Sequence, residues 1–463
     1  MLLGTHTDAA RHTLTHVDAA RHTHADAARH THTHMQMLPG THKRRCCQAH
    51  TQRRTDPSGI RHCSRARGSV GADRRGPTVS IQTGPAKKKP MAVNREHERF
   101  VMVGKPNLNV RQIVELTESL FHLTVSQVKP LPSYDDQNFY IQAHCDNPKE
   151  CAEYVMKITN GENSKNEELM EAQTHVMMFL HSKGLHTPTP VLTNTGKLMS
   201  LEAIENGPVA WKHIVRLLTY LPGTPASEIA MTPDILFNIG RMAAVIDETI
   251  SKEFHHPSKK SFDRRDFIWN YSNVPLLREY LYVVKEEVLR DLIEGVIKDY
   301  EATVASKIKN LRKCINHGDL NDHNILLEKT TSLGHDEYKI SGILDFGHIS
   351  EGYYISEVAI TIMYMMIESS DPLPVGGHVL AGFESVLPLT TEERDTLFTL
   401  VTCRFAQSLV IARYNILLCP ENEEYLLTTA KTGWKHLMNL TSLGKEAVEK
   451  IWFTTAESYS AEK

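Results

Sequence analysis

The stretch NHGDLNDHN, residues 316–324, constrains the fold of this 463-residue chain more than any other segment. It places the carboxylate of Asp319 five residues before the amide of Asn324, directly ahead of the apolar run ILL. The chain then returns as GILDFG, which supplies a second carboxylate at Asp345. A carboxylate to accept a hydroxyl proton and two hard oxygen ligands for Mg²⁺ are groups that phosphoryl transfer requires.

The cation that such a site needs on the phosphate oxygens is predicted upstream. The strand-like segment EYVMKI contains Lys157, and the helical segment 166–184 offers Glu171 as its ion-pair partner. Taken singly these patterns are common, since an isolated HGD is usually a turn and Glu171 alone is a helix-surface charge. The prediction of a phosphoryl-transfer site rests on their order along the chain. That order is the one found in protein kinases: a strand Lys, a helix Glu, Asp with Asn, and then DFG.

The rest of the chain fits the same fold. Strand-like segments at 124–132, 139–144 and 153–158 predict a small antiparallel sheet, and mostly helical segments follow the break at Pro222 and Gly223. We therefore predict an α+β, two-lobed protein-kinase-like fold. A small antiparallel-sheet N-lobe spans 91–221, a mainly helical C-lobe spans 222–463, and a disordered His- and Arg-rich extension spans 1–90.

The extension repeats DAARHT three times and holds 16 Lys and Arg against five Asp. Few large apolar residues occur there, so nothing would offset the conformational entropy lost on folding. Three interpretations stay open: a metal-binding His tract, a basic tail for anionic partners such as nucleic acid, and sequence outside the natural functional chain. The last is favoured, because irregular His spacing fixes no coordination geometry and Met91 offers an alternative start.

Composition narrows the class of protein. Residues 91–463 hold 36 Lys and Arg against 50 Asp and Glu, which argues against a nucleic-acid groove and favours a cationic small substrate. The eight cysteines form no CxxC pair, which is typical of a reduced, cytoplasmic protein. The apolar run VAITIMYMMI is ten residues long, too short to span a membrane, so no membrane partner is expected. The oligomeric state stays open.

Two motifs also carry a family resemblance. NHGDLNDHNIL with GILDFGHIS is similar to the aminoglycoside phosphotransferase family, the small-molecule branch of the kinase fold that includes choline and homoserine kinases. Gly318 stands where protein kinases have Arg, and no APE follows DFG. Further segments, among them PLPSYDDQNF, RLLTYLPG, FIWN and GGHVLAGFE, resemble the family members that use GTP to phosphorylate the side-chain hydroxyl of 5-hydroxylysine. This resemblance covers residues 91–463.

The resemblance implies roles for individual residues. Asp319 is the expected proton acceptor, Asn324 and Asp345 the Mg²⁺ ligands, and Lys157 with Glu171 the phosphate-binding pair. The further residues expected at the nucleotide are Ser133, Asp135 and Asn138 in the loop over the phosphates, and Leu218 and Tyr220 at the hinge that binds the base. His317 is expected to brace its loop, and His348 after DFG is given no role. GTP is the expected phosphate donor, with ATP open.

The acceptor has ammonium groups and a carboxylate, so its pocket is expected to offer acids, an arginine and an aromatic wall. The candidates are Glu351 and Glu357 for an ammonium, Tyr353 or Tyr354 for the wall, and Arg404 or Arg265 for the carboxylate. Glu357 is equally explained as a charge in the first turn of a helix. Trp269 is equally explained as a core residue.

The function predicted is therefore a small-molecule kinase of amino-acid catabolism. Two alternatives stay open. In the first, the chain is a kinase whose acceptor is choline, ethanolamine, homoserine or another amino alcohol. In the second, the chain is a catalytically inactive kinase-fold sensor. Because every catalytic position is filled, the sensor is disfavoured.

Overall fold

The computed structural model describes residues 104–144, 151–206, 209–332 and 335–461. They form the predicted two-lobed α+β fold, with an antiparallel sheet in one lobe and mostly helices in the other. The predicted extension at 1–90 lies outside the described residues.

The N-lobe is a helix followed by an antiparallel sheet. Helix α1, Val110–Phe121, begins at Asn109, whose side chain forms a capping box with Gln112. The strands are β1 Thr124–Leu131, β2 Gln137–His144, β3 Ala152–Ile158, β4 Pro190–Val191, β5 Ser200–Asn206 and β6 Val209–Thr219. They are ordered β1-β2-β3-β6-β4, and β5 also pairs with β6.

The alternation of the sequence explains this sheet. Along β2 and β3, Phe139, Ile141, Met156 and Ile158 are buried, while the residues between them are more exposed. The buried side chains pack on Ile113 of α1 and form a core of the N-lobe. Predicted strand bounds agree with the structure to within two residues for the first three strands.

Helix α2, Glu167–Ser182, follows the first three strands but packs differently. Its buried residues Leu169, Val176 and Leu180 belong to the large core of the C-lobe. Phe179 contacts Phe254, with ring centroids 5.4 Å apart. The C-lobe therefore fixes the position of this helix.

The C-lobe contains seven longer helices and one short one in the described chain. They are α3 Pro233–Glu253, α4 Glu287–Thr303, α5 Tyr354–Ile367, α6 Pro372–Glu384, α7 Thr391–Leu418, α8 Glu423–Leu426, α9 Ala430–Leu443 and α10 Lys445–Ala461. A 3-10 segment, Tyr271–Val283, packs against α7. The small strands are β7 Thr224–Pro225, β8 Lys313–Asn316, β9 Ile325–Ser332, β10 His335–Ile343 and β11 Ser350–Tyr353. Strand β9 pairs with β7 and β10, and β8 pairs with β11.

Helix α7 is the one described helix long and apolar enough to cross a membrane. However, 94% of its most apolar window is buried inside the protein. It is therefore the central helix of the C-lobe. A search for uninterrupted apolar runs does not find this helix, because charged residues, including Arg404, interrupt its apolar sequence.

Helices α3 and α6 cross at two glycines. A Cβ atom on Gly240 would overlap the carbonyl of Val379, and one on Gly382 would overlap the carbonyl of Phe237. The backbones of the two helices approach so closely that neither position accepts a side chain without moving a helix.

Candidate active site

The segment 317–324 connects β8 to β9 and carries Asp319 at the cleft. Gly318 has φ +81°, and a Cβ there would lie 2.8 Å from the carbonyl oxygen of His348, so this turn requires glycine. Asp319 Oδ1 accepts from Arg404 Nη2 at 3.2 Å, and Oδ2 accepts from Asn321 Nδ2 at 3.1 Å. The carboxylate is thus held from two sides.

Asn324 lies beside Asp319, as the motif predicts. Its amide nitrogen donates to the backbone oxygen of Asp319 at 3.0 Å and to Oδ2 of the same residue at 3.2 Å. These bonds leave the amide oxygen of Asn324 as the atom that suits a metal ion. His317 is buried, and its Nε2 lies 3.1 Å from the backbone oxygen of Leu344, which matches a bracing role.

Asp345 and Lys157 meet across the two lobes. Lys157 Nζ lies 3.0 Å from Asp345 Oδ2, and Asp345 Oδ1 accepts from the Gly347 N–H at 3.0 Å. Burial raises the pKa of Asp345, but Lys157 outweighs burial and holds this pKa well below its usual range. Asp345 also has a left-handed backbone, φ 52°, which is unusual for a residue with a side chain.

The second partner of Lys157 is Asp136, whose Oδ2 lies 3.4 Å from Nζ. The predicted ion pair between Lys157 and Glu171 does not form. Glu171 is half-exposed and its Oε1 lies 3.9 Å from His175 Nε2, on the helix that the C-lobe holds. Asp136, in the loop between β1 and β2, takes the place expected of Glu171. Its neighbours Ser133, Asp135 and Asn138 are the loop residues that were expected at the phosphates, and Asp136 was not among them.

The loop over the predicted phosphate site carries acids where many nucleotide-binding loops carry glycine. Asp135 Oδ2 accepts from Asn160 Nδ2 at 2.8 Å, and Ser133 Oγ donates to the backbone oxygen of Asp136 at 2.7 Å. Burial, and then the neighbouring Asp136, raise the pKa of Asp135 to about 7. Asn138 is half-buried, and its Oδ1 accepts no hydrogen bond from the described residues.

The same loop is attached to the C-lobe. Asn415 of α7 donates to the hydroxyl of Tyr134, and Asn422 donates to the backbone oxygen of Ser133 at 3.2 Å. Burial and the nearby Asp135 raise the pKa of Tyr134 above its usual value, so this phenol is neutral. The loop therefore bridges the two lobes.

The predicted hinge lies at the end of β6. Leu218 is buried and pairs with Val155 of β3 and with Pro190 of β4. The backbone N–H of Tyr220 donates to Glu153 at 3.1 Å, and its ring meets Tyr140 edge-on at 5.3 Å. These residues lie where the chain passes from the N-lobe to the C-lobe.

A recess beside Asp319 is lined by aromatic residues. His348 stacks on Trp269 with ring centroids 5.7 Å apart and meets the edge of Phe267 at 5.2 Å. Burial lowers the pKa of His348 to about 4, so its ring is neutral at physiological pH, and its Nδ1 lies 3.7 Å from Asp319 Oδ2. Glu351 is exposed and lies in the wall of this recess. Trp269 is therefore a wall residue as well as a packed one.

Two of the acceptor candidates lie in the wrong place. Glu357 and Arg404 are fully buried, and their contacts are inside the protein. Glu357 Oε2 accepts from the Gly318 N–H at 2.9 Å, while Arg404 packs its guanidinium 4.6 Å from the Trp269 ring centre and bonds Asp319. Neither side chain is exposed at the cleft. Through these contacts both side chains support the catalytic segment instead.

The other acceptor candidates are also accounted for. Tyr353 is half-buried and its backbone oxygen accepts from Asn316 at 3.1 Å. Tyr354 is buried against Arg312, and the exposed Arg265 pairs with Asp263 at 2.7 Å. Of the acids proposed for an ammonium group, Glu351 alone is exposed at the recess.

Comparison with known proteins agrees with this geometry. The model of the phosphotransferase enzyme family matches residues 127–389. Hydroxylysine kinase of Xenopus laevis is 60% identical over 373 residues, which are 80% of this chain and 100% of the relative. Hydroxylysine kinase of Bos taurus is 52% identical over 363 residues, which are 77% of this chain and 96% of the relative.

A solved structure shows the shared fold. Amicoumacin kinase hAmiN, in complex with AMP-PNP, Ca²⁺ and Ami, aligns with a TM-score of 0.50 and 14% identity, over 74% of this chain and 96% of that one. Fold, cleft and sequence similarity lead to one assignment. The chain belongs to the phosphotransferase enzyme family, groups there with the hydroxylysine kinases, and is a phosphotransferase that acts on an alcohol group.

Proposed function

We propose that this enzyme transfers the γ-phosphate of GTP to the side-chain hydroxyl of 5-hydroxy-L-lysine, with Mg²⁺, in the cytoplasm, as a step of hydroxylysine catabolism. The observation that carries the proposal is 60% identity to a hydroxylysine kinase over the whole length of that relative. The meeting of Lys157 with Asp345, and of Asn324 with Asp319, supports it.

In this proposal Asp319 orients the acceptor hydroxyl for in-line attack. It takes the hydroxyl proton as the new O–P bond forms and the bond between the γ-phosphorus and the bridging oxygen breaks, so that GDP leaves. The hydrogen bonds from Arg404 and Asn321 hold the carboxylate in one orientation before the acceptor arrives. Neutral His348, 3.7 Å from Asp319 Oδ2, adds no positive charge that would repel an ammonium group beside the reacting hydroxyl.

Asn324 and Asp345 fit a magnesium ion, because they offer an amide oxygen and a carboxylate at the edge of one cleft. When bound, Mg²⁺ neutralises negative charge on the nucleotide phosphates. Lys157 now contacts Asp345 and Asp136, so it is placed to exchange these carboxylates for phosphate oxygens. Glu351 is the candidate for binding an ammonium group of the acceptor, since it is exposed beside the aromatic wall.

The test is turnover by the full chain with GTP or ATP, Mg²⁺ and a panel of acceptors: 5-hydroxylysine, choline, ethanolamine and homoserine. Release of nucleoside diphosphate and formation of the phosphorylated acceptor are both measured, with Asp319→Asn as the inactive control. We expect turnover with 5-hydroxylysine and GTP. Preference for another acceptor would overturn the substrate, preference for ATP would overturn the donor, and nucleotide binding without turnover would favour the sensor.

A further inference from the structure

Two buried carboxyl groups lie behind the catalytic segment, and the proposed reaction does not use them. Asp247 of α3 and Glu357 of α5 are both fully buried. Glu357 Oε2 accepts from the Gly318 N–H at 2.9 Å, and Asp247 Oδ2 accepts from Asn316 Nδ2 at 2.6 Å. Each carboxyl group thus holds one residue of the segment that leads into Asp319, Gly318 directly before it and Asn316 three residues before it.

The remaining oxygen of each carboxyl group lacks an ordinary donor. Asp247 Oδ1 and Glu357 Oε1 are buried and accept no hydrogen bond from the donor groups of the described residues. The two carboxyl groups bond Asn316 and Gly318 of the same short segment, and each shifts the pKa of the other, so their side chains are neighbours in the core. Two ionised carboxylates in contact away from water would repel, and a buried oxygen without a donor is unfavourable. One proton shared by the pair removes both penalties.

The surroundings decide which group carries the proton. Burial raises the pKa of both groups, and the negative charge of Glu357 raises that of Asp247 further. Hydrogen bonds from Asn316 and from the His317 N–H favour the ionised form of Asp247, whereas Glu357 has the Gly318 N–H and, in addition, the positive charge of Arg404 to favour its ionised form. The proton therefore resides on Asp247, which donates to Glu357.

Few other titratable groups face this pair in the described chain. They are Cys314 on β8, Asp319 in the catalytic segment, Tyr271 of the 3-10 segment, Tyr354 on α5 and Arg404 on α7. Burial raises the pKa of Cys314, Tyr271 and Tyr354, so these groups are neutral at physiological pH. The charges that remain are Arg404, Asp319 and Glu357.

We propose that Asp247 is a positioning residue, whose protonated carboxyl group donates to Glu357 and so fixes Gly318 and the orientation of Asp319. The inference rests on the proposed role of Asp319 as the catalytic carboxylate. When the shared proton leaves at alkaline pH, a second negative charge appears next to Glu357. The two carboxylates then separate, Gly318 loses its fixed acceptor, and kcat falls.

The decisive variant is Asp247→Asn. Its amide oxygen still accepts from Asn316, and its amide nitrogen is a permanent donor to Glu357, so no proton is left to lose. We expect kcat near neutral pH within about threefold of wild type, since one hydrogen bond replaces another of similar strength. In wild type kcat falls about tenfold or more on the alkaline side, whereas in the variant this fall is absent.

Controls separate positioning from simple packing. Asp247→Leu removes the donor and is expected to lower kcat at every pH, whereas Asp291→Asn, at an exposed position on α4, keeps the wild-type profile. An alkaline fall that persists in Asp247→Asn would belong to the amino group of the acceptor and would overturn the proposal. Should Asp247→Asn not fold, Glu357→Gln reverses the donor and acceptor and is expected to remove the alkaline fall in the same way.

A second measurement does not depend on turnover. Infrared difference spectra between H₂O and D₂O at pH 8 are expected to show the carbonyl band of a protonated carboxyl group in wild type and not in Asp247→Asn. Lack of the band in wild type would overturn the proposal that Asp247 and Glu357 share a proton. A band in an enzyme that phosphorylates no acceptor would instead refute the proposed function and the catalytic consequence, while the shared proton stands.

Discussion

Two groups of carboxylates adjoin the active site, one around Lys157 and one buried behind the catalytic segment, and the structure balances their charge in different ways. Asp135, Asp136 and Asp345 surround Lys157, so a cation compensates them. Asp247 and Glu357 form no ion pair among the described contacts, because the nearby Arg404 pairs with Asp319, and a proton compensates them in our proposal.

The difference concerns what each side does during a reaction cycle. A nucleotide brings phosphate oxygens that compete for Lys157, so the first group is arranged to exchange partners. The second group is sealed from solvent and holds the segment that bears Asp319, so it is arranged to stay unchanged. The nucleotide side can adjust while the acceptor side stays preorganised.

The largest effect is expected from Asp319→Asn, which keeps an oxygen for Arg404 but removes the proton acceptor. We expect kcat to fall about 100-fold or more, because a general base contributes that much. The melting temperature should stay close to that of wild type, which circular dichroism checks. Retention of more than about a tenth of the activity would remove Asp319 as the proton acceptor.

The next largest effect is expected from Lys157→Met, which leaves Asp136 and Asp345 without their cation. We expect kcat/KM to fall about 10- to 100-fold, with a weaker affinity for GTP, since the phosphate oxygens lose a charged partner. Lys165→Met is the matched control, because Lys165 is 61% exposed and forms its ion pair with the nearby Glu162 rather than with a residue of the cleft. Equal losses in both variants would contradict a phosphate role for Lys157.

The pH dependence of the free energy of unfolding tests whether a proton compensates the buried pair Asp247 and Glu357. A carboxyl group whose pKa is raised on folding stabilises the protein below its unfolded pKa, and this stability is lost as pH rises through the folded pKa. The free energy of unfolding of wild type should therefore fall relative to that of Asp247→Asn by roughly 1–3 kcal/mol between pH 5 and pH 8. Urea denaturation at each pH measures the difference, and parallel pH curves would contradict it.

The smallest effect is expected from Glu171→Gln. In the protein-kinase pattern this residue would hold the lysine, and its loss would be severe. Here Glu171 is half-exposed and lies by His175, while Asp136 contacts Lys157. We expect kcat/KM within about twofold of wild type, as for most exposed side chains, and a clear loss for Asp136→Asn measured in parallel.

The sequence predicted the parts of this molecule that depend on local pattern. Alternating apolar residues predict β2 and β3. The spacing of Asp319, Asn324 and Asp345 predicts the centre of the cleft. Each of these predictions rests on residues close in sequence, whose geometry is set by a strand or a turn.

The predictions that failed depended on packing between distant elements. The order of motifs along the chain predicts Glu171 beside Lys157, but α2 buries its apolar side in the C-lobe core and Glu171 lies by His175 instead. Arg404 and Glu357 are candidates for binding the acceptor because of their charge alone. The sequence does not show that both charged side chains are buried. Asp247 lies in an ordinary amphipathic helix and gave no signal apart from being an acid on the buried face.

The glycine crossing of α3 and α6 has a consequence for inherited variation. Asp247 lies on α3 two turns beyond Gly240, so any side chain at Gly240 or Gly382 pushes apart the helices that set the depth of this carboxyl group. A missense change at either glycine lies far along the chain from the motif at 316–324. Such a change is nevertheless expected to disturb the active site, because it moves the helix that carries Asp247.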